Sequence, residues 1–356
     1  MHWSRIWATA LVVVASVILH SGISAQTIPS VYKKRYAMGT VYEVVVYDRS
    51  VERASAAIYK ALEEVVRLDN VMSNFKPESD LSRMNRAAHF QAVQITGDLY
   101  RVIEESLKYS RLSDGAFDIS VGPVVDLWKA AIRGGSTPTA EELAQARTCV
   151  GYEKIELIPP NKIKFHSACM RLDLGSIGKG YAVDRMAEIL RASGVERAYI
   201  NAGGSTMYGV GTPPERRGWN VHLRDPSNRL DPQVELVENS VSTSEQTAPS
   251  VLQGDAPGHI VVPASGKPLQ TKFAVSVVAK TATASDALST MMMLLGPEKG
   301  EVAMKSIPGS AAIWVSADGQ KTIASRGPRL FLGSEGDSKV AGDAIKNHVT
   351  SEAKRN

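Results

Sequence analysis

The chain of 356 residues lacks the features that would place it in several functional classes. It has no Lys/Arg stripe interleaved with aromatic residues, and its formal charge of +4 is small for this length, so nothing favours nucleic-acid binding. There is no internal repeat and no long linker. With 44% hydrophobic and 22% charged residues, the composition indicates a soluble globular protein with one large domain or two closely packed ones.

The only long uncharged apolar run stands at the N-terminus, over residues 6–19, after Arg5. Small and polar residues follow it, ending at Ala25, and spanning a bilayer needs about 20 apolar residues. This pattern predicts a secretory signal peptide over residues 1–25 and an exported, periplasmic protein that is peripheral to the membrane at most. An uncleaved anchor helix is the alternative, and without a cysteine near the cleavage site a lipoprotein is not supported.

Cysteine is scarce, and both cysteines, Cys149 and Cys169, lie in the exported part. Between them, residues 152–158 and 162–165 predict two strands joined at Pro159-Pro160-Asn161. A hairpin brings its ends together, and an oxidising compartment favours a disulfide between them. Two reduced, buried thiols are the alternative.

Residue periodicity predicts the main elements of secondary structure. Strands are expected at residues 41–47, 198–201, 219–223, 259–262, 274–279 and 311–315. Helices are expected at residues 54–72, 99–110, 177–193 and 285–295, with a short one behind a capping box of Thr139 and Glu142. Since strands and helices do not alternate as βαβ units, we expect an α+β fold of mostly antiparallel sheets flanked by helices, over residues 30–332, with a loose polar tail at 333–356.

The densest motif is the glycine-rich stretch over residues 173–184, which predicts a strand end, a turn and a helix start. Such a turn presents backbone N–H groups and a helix N-terminus to an anion such as a phosphate. It is not a Walker A loop, because the spacing is too short and Gly180 stands where a hydroxyl residue is required. A tight turn without a ligand remains an alternative.

Asp286 and Thr290 lie four residues apart on a predicted helix, so their oxygens project from one face. A carboxylate with a hydroxyl suits Mg²⁺, whose shell is completed by waters and substrate phosphates. The alternative is a carboxylate in the first turn that complements the helix dipole without any metal.

Further motifs, taken singly, are typical of turns, caps and core aromatics. They are Met38-Gly39-Thr40, residues 72–75 with 79–82 and Asn85, residues 115–123 followed by Trp128, and residues 201–204. In this order and spacing, the whole series from about Tyr36 to about Trp314 resembles the FAD:protein FMN transferase family, also called ApbE or thiamine-biosynthesis lipoproteins.

The resemblance implies a Mg²⁺-dependent enzyme with FAD as its substrate, bound in a cleft between two closely packed parts. It transfers FMN to a Thr hydroxyl in a segment of an acceptor protein and releases AMP. The implied metal ligands are the side chains of Asp286 and Thr290 with a backbone carbonyl near Ser176. Asp286 and His259 are implied in catalysis, since His259 matches a histidine suspected of assisting the acceptor hydroxyl. A histidine with a purely structural role, before an apolar strand, is the alternative for His259. The FAD site is implied at Met38, Phe75, Ala116, Phe117, Asp118, Asp173, Lys179 and Ile260.

The chain also departs from the family pattern, mostly where the acceptor should bind. Val262 stands where the family usually has Asp, and Ser285 replaces the usual small residue before the metal Asp. Glu245-Gln246-Thr247 replaces a continuation into Gly and an aromatic. Two alternatives follow: an FAD pyrophosphatase that gives FMN and AMP, and a non-catalytic periplasmic FAD-binding protein.

Overall fold

The computed structural model describes residues 28–246 and 260–327, and the backbone of residues 331–332. Its strands are β1 (Ser30–Ala37), β2 (Thr40–Tyr47), β3 (Val93–Gln94), β4 (Ile155–Ile158), β5 (Lys162–Phe165), β6 (Ala198–Ala202), β7 (Thr206–Val210), β8 (Trp219–His222), β9 (Pro232–Leu236), β10 (Asn239–Glu245), β11 (Phe273–Ala279), β12 (Ala311–Ser316), β13 (Lys321–Ser325) and β14 (Phe331–Leu332). Its helices are α1 (Val51–Met72), α2 (Asp80–Ala87), α3 (Gly97–Leu112), α4 (Gly122–Arg133), α5 (Ala140–Arg147), α6 (Gly178–Ala192) and α7 (Ala282–Met304).

The main sheet has eight strands in the order β1-β2-β6-β7-β10-β11-β12-β13, and every neighbouring pair is antiparallel. Two three-stranded antiparallel sheets, β14-β9-β8 and β3-β5-β4, complete the described strands. The predicted α+β fold with mostly antiparallel sheet is therefore confirmed. Among the described residues, no helix is both long enough and apolar enough to cross a membrane.

The main sheet lies between a layer of helices and a small sheet. Successive residues of a strand point to opposite faces. Val277 of β11 belongs to the large core with Ile58 of α1 and Met186 of α6. Its neighbour Val278 packs instead in a second core with Trp219 of β8. Both faces of the central strands are thus buried, which gives the helices on one face a rigid support.

Several local predictions are confirmed. The capping box at Thr139 and Glu142 makes both of its hydrogen bonds. The β4–β5 hairpin forms, and the chain ends that flank it are joined by a disulfide between Cys149 and Cys169. Gly194 follows α6 with a positive φ of 79°, as a residue just past a helix end commonly does.

The expected strand at residues 259–262 is wrong for its described part, residues 260–262. Val261 makes only an isolated bridge with Pro268. The carbonyl of Val262 accepts from the N–H groups of Ser265 and Gly266, so the chain turns back at once. Pro263 has no N–H with which to continue a ladder.

The expected start of the last helix at Ser285 is also wrong. The helix begins at Ala282, where the side chain of Thr281 accepts from the N–H of Ala284. Gly296 (φ 73°, ψ 175°) breaks the helical conformation before Pro297, as expected, but a further helical stretch continues to Met304. The periodicity also gave no sign of α2 and α4.

Candidate active site

A cavity of about 720 Å³ opens beside the helix layer, within the size range of small-molecule sites. Its walls come from the tip of the β1–β2 hairpin, the end of α1, the loop before α4, the glycine-rich turn, the end of β10 and α7. Residues predicted for the site that line it are Met38, Phe75, Phe117, Asp118, Asp173, Ser176, Lys179, Ile260, Asp286 and Thr290. The fold therefore collects into one space motifs that are spread over more than 250 residues of sequence.

Asp286 lies in this cavity on the second turn of α7, with 5% of its surface exposed. Oδ2 of Asp286 accepts a hydrogen bond of 2.8 Å from the N–H of Gly180. Within the described residues Oδ1 has no hydrogen bond and the carboxylate has no ion pair. Because α7 begins at Ala282, the alternative of a first-turn carboxylate that only complements the dipole does not apply. A buried carboxylate without a charged partner is costly, and a bound cation would remove that cost.

Thr290 lies one helical turn after Asp286 and also lines the cavity. Its Oγ1 is 3.4 Å from the Oγ of Ser244, at the end of β10. Ser285, one of the departures, is explained by its partners. Its buried hydroxyl lies 2.9 Å from that of Ser240 and 2.7 Å from that of Ser242, so α7 is hydrogen-bonded to β10.

The glycine-rich turn is built by its own backbone and by Asp173. Oδ1 of Asp173 accepts from the N–H of Gly175 at 2.8 Å, and the carbonyl of Leu174 accepts from Ile177 and Gly178. Lys179 then donates to the carbonyl of Gly175 at 3.3 Å. Gly178 and Lys179 line the cavity, so the first turn of α6 faces it, and a helix N-terminus favours an anion.

A sequence model described as the ApbE family matches residues 38–314. The chain belongs to the ApbE family. An FAD:protein FMN transferase of Haemophilus influenzae is 31% identical over 284 residues, which cover 76% of this chain and 82% of that protein. The apo structure of a flavinyl transferase ApbE of Pseudomonas stutzeri is 27% identical, with a TM-score of 0.73 over 84% of this chain and 97% of that one. The flavin transferase ApbE of Vibrio cholerae is 25% identical, with a TM-score of 0.72 and coverage of 84% and 98%.

Two aromatic side chains line the cavity of this ApbE-family protein, one of them exposed and the other buried. Phe75 is 82% exposed, with Nζ of Lys129 5.0 Å from its ring centroid, so its ring offers a stacking surface for a planar group. Phe117 is buried, and its ring contacts that of Tyr109 edge-on. Ala116 is half-buried and does not line the cavity, and its predicted contact with FAD stays a prediction.

Asp118 stabilises the cavity wall through hydrogen bonds of its carboxylate. Oδ1 accepts from the N–H and hydroxyl of Ser120, and Oδ2 accepts from the N–H of Tyr152 at 2.9 Å. Burial raises the pKa of this carboxyl, while these hydrogen bonds act in the opposite direction. Both oxygens are thus engaged in holding the loop before α4 against the residues that follow Cys149.

Arg224, Glu245, Ile260, Val261 and Pro263 line another side of the cavity. Together with Gln246 and Val262, which are adjacent to them in the sequence, they are called here the loop wall. Nε of Arg224 donates to Oε2 of Glu245 at 2.8 Å, and both residues line the cavity. Gln246 accepts from the N–H of Ile260 at 3.0 Å and donates to the carbonyls of Ile260 and Leu269 at 3.1 and 3.0 Å. His259 lies outside the described residues, so its predicted role stays a prediction.

The sequence reasoning missed residues whose partners are far away in the chain. Arg224 and Lys129 carry no motif signal, and Gln246 drew notice only as part of a departure. Asp184 ends the glycine-rich motif, but its partners lie 98 and 99 residues further on. The sequence does offer one sign, because Asp184 lies four residues after Gly180 and so shares its helix face, which is directed toward α7.

Proposed function

We propose that the protein is an exported FAD:protein FMN transferase that uses Mg²⁺ to move FMN from FAD onto a Thr hydroxyl of an acceptor protein. Family membership and the similarity to proteins named for this activity support flavin transfer. The observation that supports a metal site most directly is Asp286, a buried carboxylate in the cavity without a cationic partner in the described residues.

The residues around Asp286 suit Mg²⁺. Asp286, Thr290 and the backbone near Ser176 offer hard oxygen ligands, and all three residues line the cavity. No group of three His, Cys, Asp or Glu side chains suited to a metal occurs in the described part of the chain. Mg²⁺ usually takes one or two carboxylates together with substrate phosphates, so one carboxylate fits a site of this type.

The charge of the cavity also favours a bound cation. Five acidic side chains line it, against three basic ones: Asp69, Asp118, Asp173, Glu245 and Asp286 against Lys129, Lys179 and Arg224. A pyrophosphate carries further negative charge into this space. When bound, Mg²⁺ offsets that charge, polarises the phosphorus and stabilises the departing AMP.

The remaining work of the protein is positioning, as phosphoryl transfer generally requires. Phe75 and Lys129 hold a planar ring, and the first turn of α6 faces the phosphates. The acceptor Thr oxygen bonds to the FMN phosphorus, and the bond from that phosphorus to the bridging oxygen breaks, so AMP leaves with this oxygen. The hydroxyl proton passes to a base, which we assign to His259.

Export is part of the proposal. The leader over residues 1–25 lies outside the described residues, so it rests on the sequence pattern. The disulfide between Cys149 and Cys169 supports it, because such bonds persist in oxidising compartments such as the periplasm.

The test is to incubate the mature protein with FAD and Mg²⁺, with and without an acceptor that carries a Thr-containing flavinylation segment. We expect AMP release only with acceptor, a fluorescent acceptor band, and loss of both with EDTA or with the acceptor Thr changed to Ala. AMP without acceptor would show an FAD pyrophosphatase, and intact bound FAD a carrier. Asp286→Asn keeps an oxygen for Gly180 and should lose at least about 100-fold in rate.

A further inference from the structure

Helices α6 and α7 each supply a carboxylate to the N-terminus of the other. Asp184 of α6 accepts from the N–H of Ala282 at 2.7 Å, the N–H of Thr283 at 2.8 Å and the hydroxyl of Thr283 at 2.6 Å. In return, Asp286 of α7 accepts from the N–H of Gly180 at 2.8 Å. These four hydrogen bonds are called here the cross-cap.

The cross-cap meets a need that neither helix meets by itself. The first N–H groups of a helix have no partner within the helix. Ile177, at the N-cap of α6, makes no side-chain cap, and the side chain of Thr281, at the N-cap of α7, accepts only from the N–H of Ala284. The N–H groups of Gly180, Ala282 and Thr283 are therefore satisfied by the carboxylate of the opposite helix.

The two helix ends are in close contact at Gly180. A Cβ at this position would lie 2.2 Å from the carbonyl oxygen of Ala282 and 2.7 Å from Cβ of Asp286. Asp184 keeps part of its surface exposed, yet burial still raises the pKa of its carboxyl, while its hydrogen bonds to Thr283 and Ala282 oppose that rise. Among the described residues it has no ion-pair partner, so its hydrogen bonds to α7 are what stabilise the charged form.

We infer that Asp184 is a positioning residue for the metal site, because it sets how α7 lies against the glycine-rich turn. Asp286 and Thr290 reach the cavity from α7, whereas Ser176 reaches it from the turn before α6. A ligand set divided between two helices keeps its geometry only if the helices are held together. The inference rests on the proposed Mg²⁺ site and adds a residue that does not touch the ion.

The test measures the Mg²⁺ concentration that gives half-maximal AMP release, here called the half-saturation. It compares this concentration in Asp184→Asn, Thr283→Val and the wild type. Asp184→Asn turns an acceptor atom into a donor against the α7 N–H groups, and Thr283→Val removes one hydrogen bond. We expect half-saturation to rise about tenfold and about threefold respectively, with the rate at saturating Mg²⁺ within about twofold. Amide hydrogen exchange at Gly180, measured without metal, should be faster in both variants.

Asp48→Asn is the matched control. Asp48 is a buried carboxylate that precedes α1 and bonds to Ser50 and Arg53, away from the cavity. It should lower the melting temperature but leave the Mg²⁺ half-saturation unchanged.

An Asp184→Asn protein with wild-type Mg²⁺ half-saturation and wild-type exchange at Gly180 would overturn the inference while leaving the proposed function intact. A wild type whose AMP release needs no divalent metal would overturn the metal site itself. If Asp184→Asn does not fold, Thr283→Val decides, and unchanged half-saturation there counts against the inference.

Discussion

The first turns of α6 and α7, with Gly180, Asp286 and Thr290, form a helix wall that differs from the loop wall in how it is held. In the helix wall, main-chain N–H groups donate to the carboxylates of Asp184 and Asp286, and Gly180 lies too close to Ala282 for any side chain. In the loop wall, one amide side chain, Gln246, holds Ile260 and Leu269, and an exposed ion pair joins Arg224 to Glu245.

The two walls also differ in how closely their residues match the family pattern. Apart from Ser285, the helix wall is built from residues that match the pattern, whereas Glu245, Gln246 and Val262 of the loop wall stand at or beside its departures. Backbone contacts in the helix wall leave little freedom for substitution. Side-chain contacts in the loop wall can be exchanged singly, which suits the part of a site that must fit a particular acceptor.

Removal of the disulfide should cause the largest loss of unfolding free energy. It should act on the segments that support the helix wall. Cys149 and Cys169 are separated by 20 residues, and opening a loop of this length costs about 3 kcal/mol of unfolding free energy. The cysteines flank the segments that contact Asp118 and lead into the glycine-rich turn. Urea unfolding of the double variant Cys149→Ser and Cys169→Ser should show this loss. Dithiothreitol should destabilise the wild type but not the variant.

Gly180→Ala should be the next most damaging change. Its Cβ would overlap the carbonyl of Ala282, so α6 and α7 must separate. We expect about 2 kcal/mol lower unfolding free energy and, since the ligands move apart, a fall of about 30-fold in Mg²⁺-dependent AMP release.

Gly97→Ala is the control for this substitution. Gly97 begins α3, and no atom lies within 4 Å of a Cβ placed there. Its unfolding free energy should stay the same or rise slightly, because Ala is the better helix former. Equal losses in the two variants would show that α6 and α7 are not closely packed at Gly180.

The sequence predicted the helix wall better than the loop wall, for physical reasons. The apolar face of α6 and the spacing of Asp286 and Thr290 are local patterns, so they are visible in the sequence. β10 is not, because its buried serines Ser240 and Ser242 interrupt apolar alternation. Their hydroxyls are satisfied by partners far away in the sequence, namely Ser285, the carbonyl of Met207 and the hydroxyl of Thr206. α4 was hidden by Gly122-Pro123, which were assigned to a turn although Pro is favoured in the first turn of a helix.

Gln246→Ala should separate the two walls in function. It removes three hydrogen bonds that hold Ile260 and Leu269, so the loop wall should loosen. We expect an increase of about tenfold in the KM for the acceptor, with Mg²⁺ half-saturation and FAD affinity unchanged. Gln233→Ala, which removes side-chain hydrogen bonds on β9 outside the cavity, should leave all three quantities unchanged. A tenfold change in Mg²⁺ half-saturation for Gln246→Ala would mean that the walls are coupled.

Glu245→Gln should have the smallest effect. The carboxylate lies 2.8 Å from Nε of Arg224, but the Arg224 side chain is 58% exposed. An ion pair of this kind contributes less than about 1 kcal/mol, and Gln keeps an oxygen for Arg224. AMP release at saturating acceptor should therefore stay within about twofold of the wild type. A loss greater than about tenfold, unaccompanied by a change in melting temperature, would place Glu245 in the chemistry and end the assignment of catalysis to the helix wall and His259.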